Sequence, residues 1–208
     1  MDIISINYII FTLFGYNVSL IELVGVITGL VSVWYAVKIN ALTWIAGIVN
    51  ALLFVIIFYQ INLYSSMFCN MFFVVTSFIG LLKWKQKRNE LKITKSKNKI
   101  IFSILIIIGT LILYLFVSYL NVILPKYFVI AQYPLIDSFV TIASIFAVSL
   151  MAYKKIESWI LWILIDAICV FLYLSQGTLF LSIEYGIFLI LSIVGYINWK
   201  KQLSKNYI

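Results

Sequence analysis

The chain is predicted to be an all-α, polytopic membrane protein with seven spanning helices. Composition is the first reason: 64% of its 208 residues are apolar and 11% charged, against roughly half and about a quarter in a soluble domain. Several apolar stretches then approach the ~20 residues that cross about 30 Å of hydrocarbon as a helix. Finally, Lys and Arg avoid those stretches and gather between them. In lipid the backbone must pair within its own segment, and a spanning strand would alternate apolar with polar residues, which these segments do not.

The elements follow in order. Residues 1–19 read as a short interfacial lead-in, because Asp2 and no basic n-region precede the apolar run, unlike a cleaved signal. Helices are expected at 20–38, 41–59 and 63–84. The polar segment 85–99 (KQKRNELKITKSKNK) is a basic linker, and a lone helix at 100–121 connects onward. Three more are expected at 135–153, 158–175 and 178–199, with a tail at 200–208. Glu22 and Asp137 stand near the starts of the first and fifth helices, where unpaired backbone N–H groups suit a carboxylate.

Seven helices also give the charge a simple meaning. With 85–99 in the cytoplasm, the N-terminus lies outside and the C-terminus inside, and every one of the 15 Lys and Arg residues except Lys126 falls on the inner side. The net charge of +8 is then a topology signal with some attraction to anionic lipid, not a nucleic-acid footprint. The setting expected is a bacterial inner membrane. No histidine is present, which removes most zinc sites and the Ser-His-Asp triad. Cys69 and Cys169 both fall within spans and suggest neither a metal nor a disulfide framework. An enzyme is not expected, nor a metal or cofactor.

Displacing the chain on itself by 115 or 116 positions aligns its halves. Leu20-Ile21-Glu22 meets Leu135-Ile136-Asp137; Ala36 and Lys38 meet Ala152 and Lys154; Gln60 and Leu63 meet Gln176 and Leu179. Phe73, Ser77, Gly80 and Trp84 meet Phe188, Ser192, Gly195 and Trp199. The triplets at 20–84 and 135–199, separated by one helix, would share an orientation. Such a 3+1+3 parallel repeat is the plan of small sugar-efflux (SWEET-like) transporters, whose substrate sites lie near the midplane between the halves.

A carboxylate near the bilayer centre costs roughly 2.5–3.5 kcal/mol on the gentler insertion scale, so it should face protein or a watery cavity. Asp166 shares a helical stripe with Trp159 and Trp162 in SWILWILID, and its repeat mate is Asn50, with Trp44 nearby. Glu184 pairs with Cys69, and Asn70 with Tyr185; Gln60 and Gln176 form another matched pair. Tryptophan faces attract cations by roughly 0.5–2 kcal/mol each and stack on rings. A carboxylate supplies counter-charge, and amides grip hydroxyls or amides. The candidate substrate site is therefore Trp44, Asn50, Gln60, Asn70, Trp159, Trp162, Asp166, Gln176, Glu184 and Tyr185, suited to a flat cationic heterocycle. An aromatic belt at the membrane interface is the competing explanation; it suits Trp84 and Trp199 and fits Trp162 and Asp166 poorly.

These residues resemble the PnuC-type vitamin transporters, whose best-known members move nicotinamide riboside. The similarity runs from about Glu22 to Lys201, carried by GVITGLVSVWYAVKINALTWIAGIVNALLF, YQINLYSSM, LIDSFVTIASI, KKIESWILWILIDAICVFLY and VGYINW. The W-x-x-W-x-x-x-D of Trp159, Trp162 and Asp166 is its most specific piece. The resemblance implies a 3+1+3 fold and facilitated diffusion, made one-way by a cytoplasmic kinase that phosphorylates the substrate. It also implies a nucleoside-like ligand between the halves, held by tryptophans of the sixth helix and polar groups of the second, third, sixth and seventh. Two departures stand out: Asn70 where a Gln is expected, and Glu184 where many members are apolar. Thiamine, another cationic aromatic, is the alternative substrate, and a non-transporting membrane binding protein the alternative class. Assembly into a homo-oligomer is left open.

Overall fold

A computed structural model describes residues 3–13, 15–60, 64–86, 93–96, 98–124, 133–175 and 179–205. Seven helices dominate: α1 (Leu20–Val37), α2 (Leu42–Gln60), α3 (Tyr64–Gln86), α4 (Lys99–Ile123), α5 (Pro134–Ala152), α6 (Glu157–Ser175) and α7 (Leu179–Lys205). Each contains a stretch long and apolar enough to cross a bilayer. The expected spans agree to within a few residues, except that α7 continues to Lys205. Its extension is anchored by Leu203, buried against the tryptophans near its end.

The lead-in is more ordered than its sequence suggests. β1 (Ile9–Leu13) and β2 (Tyr16–Ser19) form an antiparallel hairpin around Gly15, whose φ of +82° is open to glycine and costly for other residues. Ser19 then caps α1 in a reciprocal box: its hydroxyl accepts the Glu22 N–H, and the Glu22 carboxylate accepts the Ser19 N–H at 2.9 Å. The Tyr16 hydroxyl donates to the same carboxylate at 2.7 Å. Burial, and then the Glu22 carboxylate, hold the Tyr16 phenol protonated well above its ordinary range. Glu22 is thus satisfied at a helix start, as its position suggested.

The helices pack in sequence, α1 on α2 on α3 and α5 on α6 on α7, with α4 against α5. Two further contacts join these groups reciprocally, α1 with α7 and α3 with α5. Most apolar side chains of α4 face outward, as befits a lipid-facing helix.

The turns that follow α1 and α5 share one backbone design. Ile39 and Lys154 both take left-handed φ, +56° and +50°. Ile39 N–H donates to Ala36 and Asn40 N–H to Tyr35; likewise Lys154 donates to Met151 and Lys155 to Leu150. Thr43 and Trp44 bond back to Asn40 and Ala41, as Ser158 and Trp159 do to Lys155 and Ile156. Each pair is separated by 115 positions. Side chains repeat the pattern across the molecule: Trp84 Nε1 donates to the Ala152 carbonyl at 3.3 Å, and Trp199 Nε1 to the Ala36 carbonyl at 3.0 Å.

Candidate functional site

α2 and α6 begin just after these matched turns, so Trp44 and Trp159 occupy the same place in each. The six-membered ring of each indole lies on a glycine. A Cβ on Gly80 would come within 2.5 Å of the Trp44 ring, and one on Gly195 within 2.6 Å of Trp159. Trp84 and Trp199 complete a row of four. Trp44–Trp84 meet edge to face at 5.4 Å, Trp84–Trp199 tilt at 6.1 Å, and Trp199–Trp159 meet edge to face at 5.6 Å. Aromatic pairs in such geometry add about 0.5–1.5 kcal/mol each beyond burial. All four are buried, and Trp44 and Trp159, the two ends of the row, form the floor of a cavity.

That cavity, about 220 Å³, is lined from α1, α2, α3, α5, α6 and α7. It falls just below the ~300 Å³ lower end of ordinary ligand clefts, the range of a small, compact ligand. Trp44, Asn50, Trp159, Trp162, Asp166 and Tyr185 line it together. Gly29, Ser32, Thr43, Phe73, Ser77, Phe188 and Ser192 contribute the rest of the polar and aromatic wall.

Asp166 is 3% exposed, and one of its oxygens accepts the Ser192 hydroxyl from α7 at 2.8 Å. Among the described residues no Lys or Arg lines the cavity, so none of them gives this carboxylate a cationic neighbour there. Asn50 spends its amide nitrogen on the Gly25 carbonyl of α1 at 2.7 Å. The indole N–H groups of Trp44 and Trp159 are buried and have no partner among the described residues. An unpaired buried donor costs about 1–3 kcal/mol. Tyr185 stacks on Tyr173 at 5.2 Å and meets Phe188 edge to face at 6.0 Å, forming an aromatic wall opposite the floor.

Three described candidates do not line the cavity. Asn70 and Glu184 lie one helical turn before Phe73 and Phe188, on α3 and α7; Asn70 is half-buried and Glu184 buried. Gln60 closes α2 by binding the N-terminal segment, accepting the Ile6 N–H at 2.9 Å and donating to the Ile4 carbonyl at 2.9 Å. Gln176 lies outside the described residues. Ser192, Phe188, Gly29 and Thr43 line the cavity and are not among the candidates that the sequence offers. Ser192 and Phe188 were visible in it as repeat mates of Ser77 and Phe73; for Gly29 and Thr43 the only signal was their place on the inner faces of α1 and α2.

Comparison with known proteins converges on one family. The sequence model of the family described as nicotinamide mononucleotide transporter matches residues 19–201. The chain is 30% identical over 210 residues to the nicotinamide riboside transporter PnuC of Escherichia coli (strain K12), covering 89% of this chain and 87% of that protein. It is 24% identical over 200 residues to PnuC of Neisseria mucosa, covering 88% and 73% respectively. A solved structure described as the crystal structure of the vitamin B3 transporter PnuC shares the fold, with a TM-score of 0.68 at 23% identity, over 88% of this chain and 81% of that one.

Proposed function

Since the chain belongs to the nicotinamide mononucleotide transporter family, a family of multi-pass membrane transporters and not of enzymes, we propose that it carries nicotinamide riboside across a bacterial inner membrane. One observation supports the substrate above all others: a buried carboxylate between tryptophans, in a cavity with no basic residue among the described ones. A phosphate would meet Asp166 there with nothing to neutralise it. The unphosphorylated, cationic nucleoside fits this wall, and the mononucleotide does not. Trp159 and Trp162 face the pyridinium ring, Asp166 balances its charge, and the Asn50 amide oxygen accepts from a ribose hydroxyl.

Transport proceeds by facilitated diffusion, and a cytoplasmic kinase traps the product by phosphorylation. The recurring turns, the paired Trp84 and Trp199 bonds and the reciprocal α1–α7 and α3–α5 contacts support two like-oriented triplets with α4 as connector. The positive charges put the linker, the α5–α6 turn and the C-terminus in the cytoplasm. Rocking of one triplet against the other exposes the cavity to each side in turn. Asn70 and Glu184, one turn from the cavity toward the outside, meet the substrate on its way in.

Calorimetry on purified protein with nicotinamide riboside, nicotinamide mononucleotide, thiamine, riboflavin and a deoxynucleoside tests the substrate. Nicotinamide riboside is expected to bind and the mononucleotide not to; a clear preference for thiamine would move the assignment to that vitamin, and binding without flux in proteoliposomes would make the chain a binding protein. Accumulation above the external concentration, driven by a pH gradient, would exclude facilitated diffusion.

A further inference from the structure

The segment 93–96 is bound far more closely than a linker between helices requires. Thr94 N–H donates to the Lys154 carbonyl at 3.2 Å, and Ile156 N–H donates to the Thr94 carbonyl at 3.1 Å, a one-rung parallel ladder on the α5–α6 turn. The Lys155 ammonium donates to Thr94 Oγ1 at 2.8 Å, and Ser96 N–H to a Glu157 carboxylate oxygen at 2.9 Å. Ile93 is 4% exposed. It is buried in the cluster that holds Ala36, Val37 and Trp84 of the first triplet with Met151, Trp159 and Trp199 of the second.

The arrangement is one-sided. The Ile39–Ala41 turn shares the backbone design of Lys154–Ile156, yet carries no added strand among the described residues. The helix–turn–helix frame is therefore complete without a clip. The clip also sits where motion must occur: parting the triplets at this end breaks the Trp84–Ala152 and Trp199–Ala36 bonds, and Ile93 lies across that same seam.

We infer that residues 93–96 are a latch on the cytoplasmic mouth: clipped to the α5–α6 turn, they seat Ile93 across the seam, and the mouth opens when Ile93 is unseated. The inference rests on the transport reading for the direction of the mouth. Its first test needs no substrate. In a Cys69→Ala, Cys169→Ala background, Met151→Cys places a thiol at the cavity floor, and inside-out vesicles are treated with a membrane-impermeant thiol reagent. Ile93→Ala removes most of the wedge and is expected to speed labelling by about tenfold, while Lys155→Met, which deletes one surface bond, speeds it less. A thermal melt of each variant separates a loosened latch from a damaged fold. Unchanged labelling in both folded variants overturns the inference.

The second test locks the latch. Thr94 and Lys155 are ladder partners with side chains in contact, so Thr94→Cys with Lys155→Cys can close a disulfide. With the bridge formed, flux is expected to stop and to return on reduction, and adding Ile93→Ala is expected to restore flux despite the bridge. Normal flux through the bridged protein overturns the latch. Absent flux in the parent would instead sink the transport reading, with the labelling test still deciding the latch.

Discussion

Replacing Asp166 with asparagine tests the charge logic of the cavity with almost no change of shape. The asparagine oxygen can still accept the Ser192 hydroxyl, which now lies 2.8 Å from the carboxylate. What is lost is one negative charge in a site that is 3% exposed. A cation about 5 Å away gains roughly 3 kcal/mol from that charge at an effective dielectric of ~20. Desolvation of the ligand takes back part of this, leaving about 2 kcal/mol, or roughly 30-fold in affinity. The matched probe is the 1,4-dihydro form of nicotinamide riboside, which differs by one hydride and carries no charge. Calorimetry at fixed salt should show Asp166→Asn weakening the cation by about 30-fold and the neutral form by less than ~3-fold. Equal losses for both ligands would show that Asp166 holds the cavity together and does not counter the charge. No loss for either would remove it from the site.

Other consequences are smaller. Trp162→Ala should weaken nicotinamide riboside by about 2–30-fold, the worth of one cation–π contact of ~0.5–2 kcal/mol, read by calorimetry or by uptake into proteoliposomes. Gly195→Ala would set a methyl 2.6 Å from the Trp159 ring. Displacing that ring should cost about 1–3 kcal/mol, seen as a lower midpoint of thermal unfolding in detergent. Gln60→Ala should speed hydrogen exchange at the Ile6 amide, which donates to Gln60, and leave ligand affinity unchanged.

Legibility in the sequence followed the physics of each feature. The spans were readable because lipid demands long apolar helices, and the polar turns between them are sharp. The end of α7 was not, because leaving hydrocarbon does not stop a helix, and KKQLSK contains good helix formers. The hairpin before α1 hid in an apolar run, IIFTLFGYNVS, without clean alternation; only its glycine marked the turn. Trp159, Trp162 and Asp166 were legible as a site because their spacing puts them on one stripe of α6. Asn70 and Glu184 share a face with cavity residues, but spacing sets a face and not a depth. Gln60 shows a further limit: an amide at a helix end can hold a ligand or its own chain, and here it holds residues 4 and 6.

Asn50 on α2 and Asp166 on α6 both line the cavity and permit a sharper test of what makes the site selective. On a view in which any one carboxylate in the cavity suffices, exchanging the two residues should preserve cation binding. The hydrogen bonds argue otherwise. Asn50 donates its amide N–H to the Gly25 carbonyl at 2.7 Å, tying α2 to α1, whereas Asp166 accepts from Ser192. An aspartate at position 50 could not donate, and its charge would face the Gly25 carbonyl, losing the bond and leaving that oxygen uncompensated at about 1–3 kcal/mol. Asn50→Asp combined with Asp166→Asn should therefore unfold at lower temperature than either parent or Asp166→Asn alone, and should not recover the affinity lost in Asp166→Asn. Full recovery would mean that only the number of charges matters. Failure would mean that the two residues have separate tasks, Asn50 holding α2 to α1 and Asp166 meeting the cation.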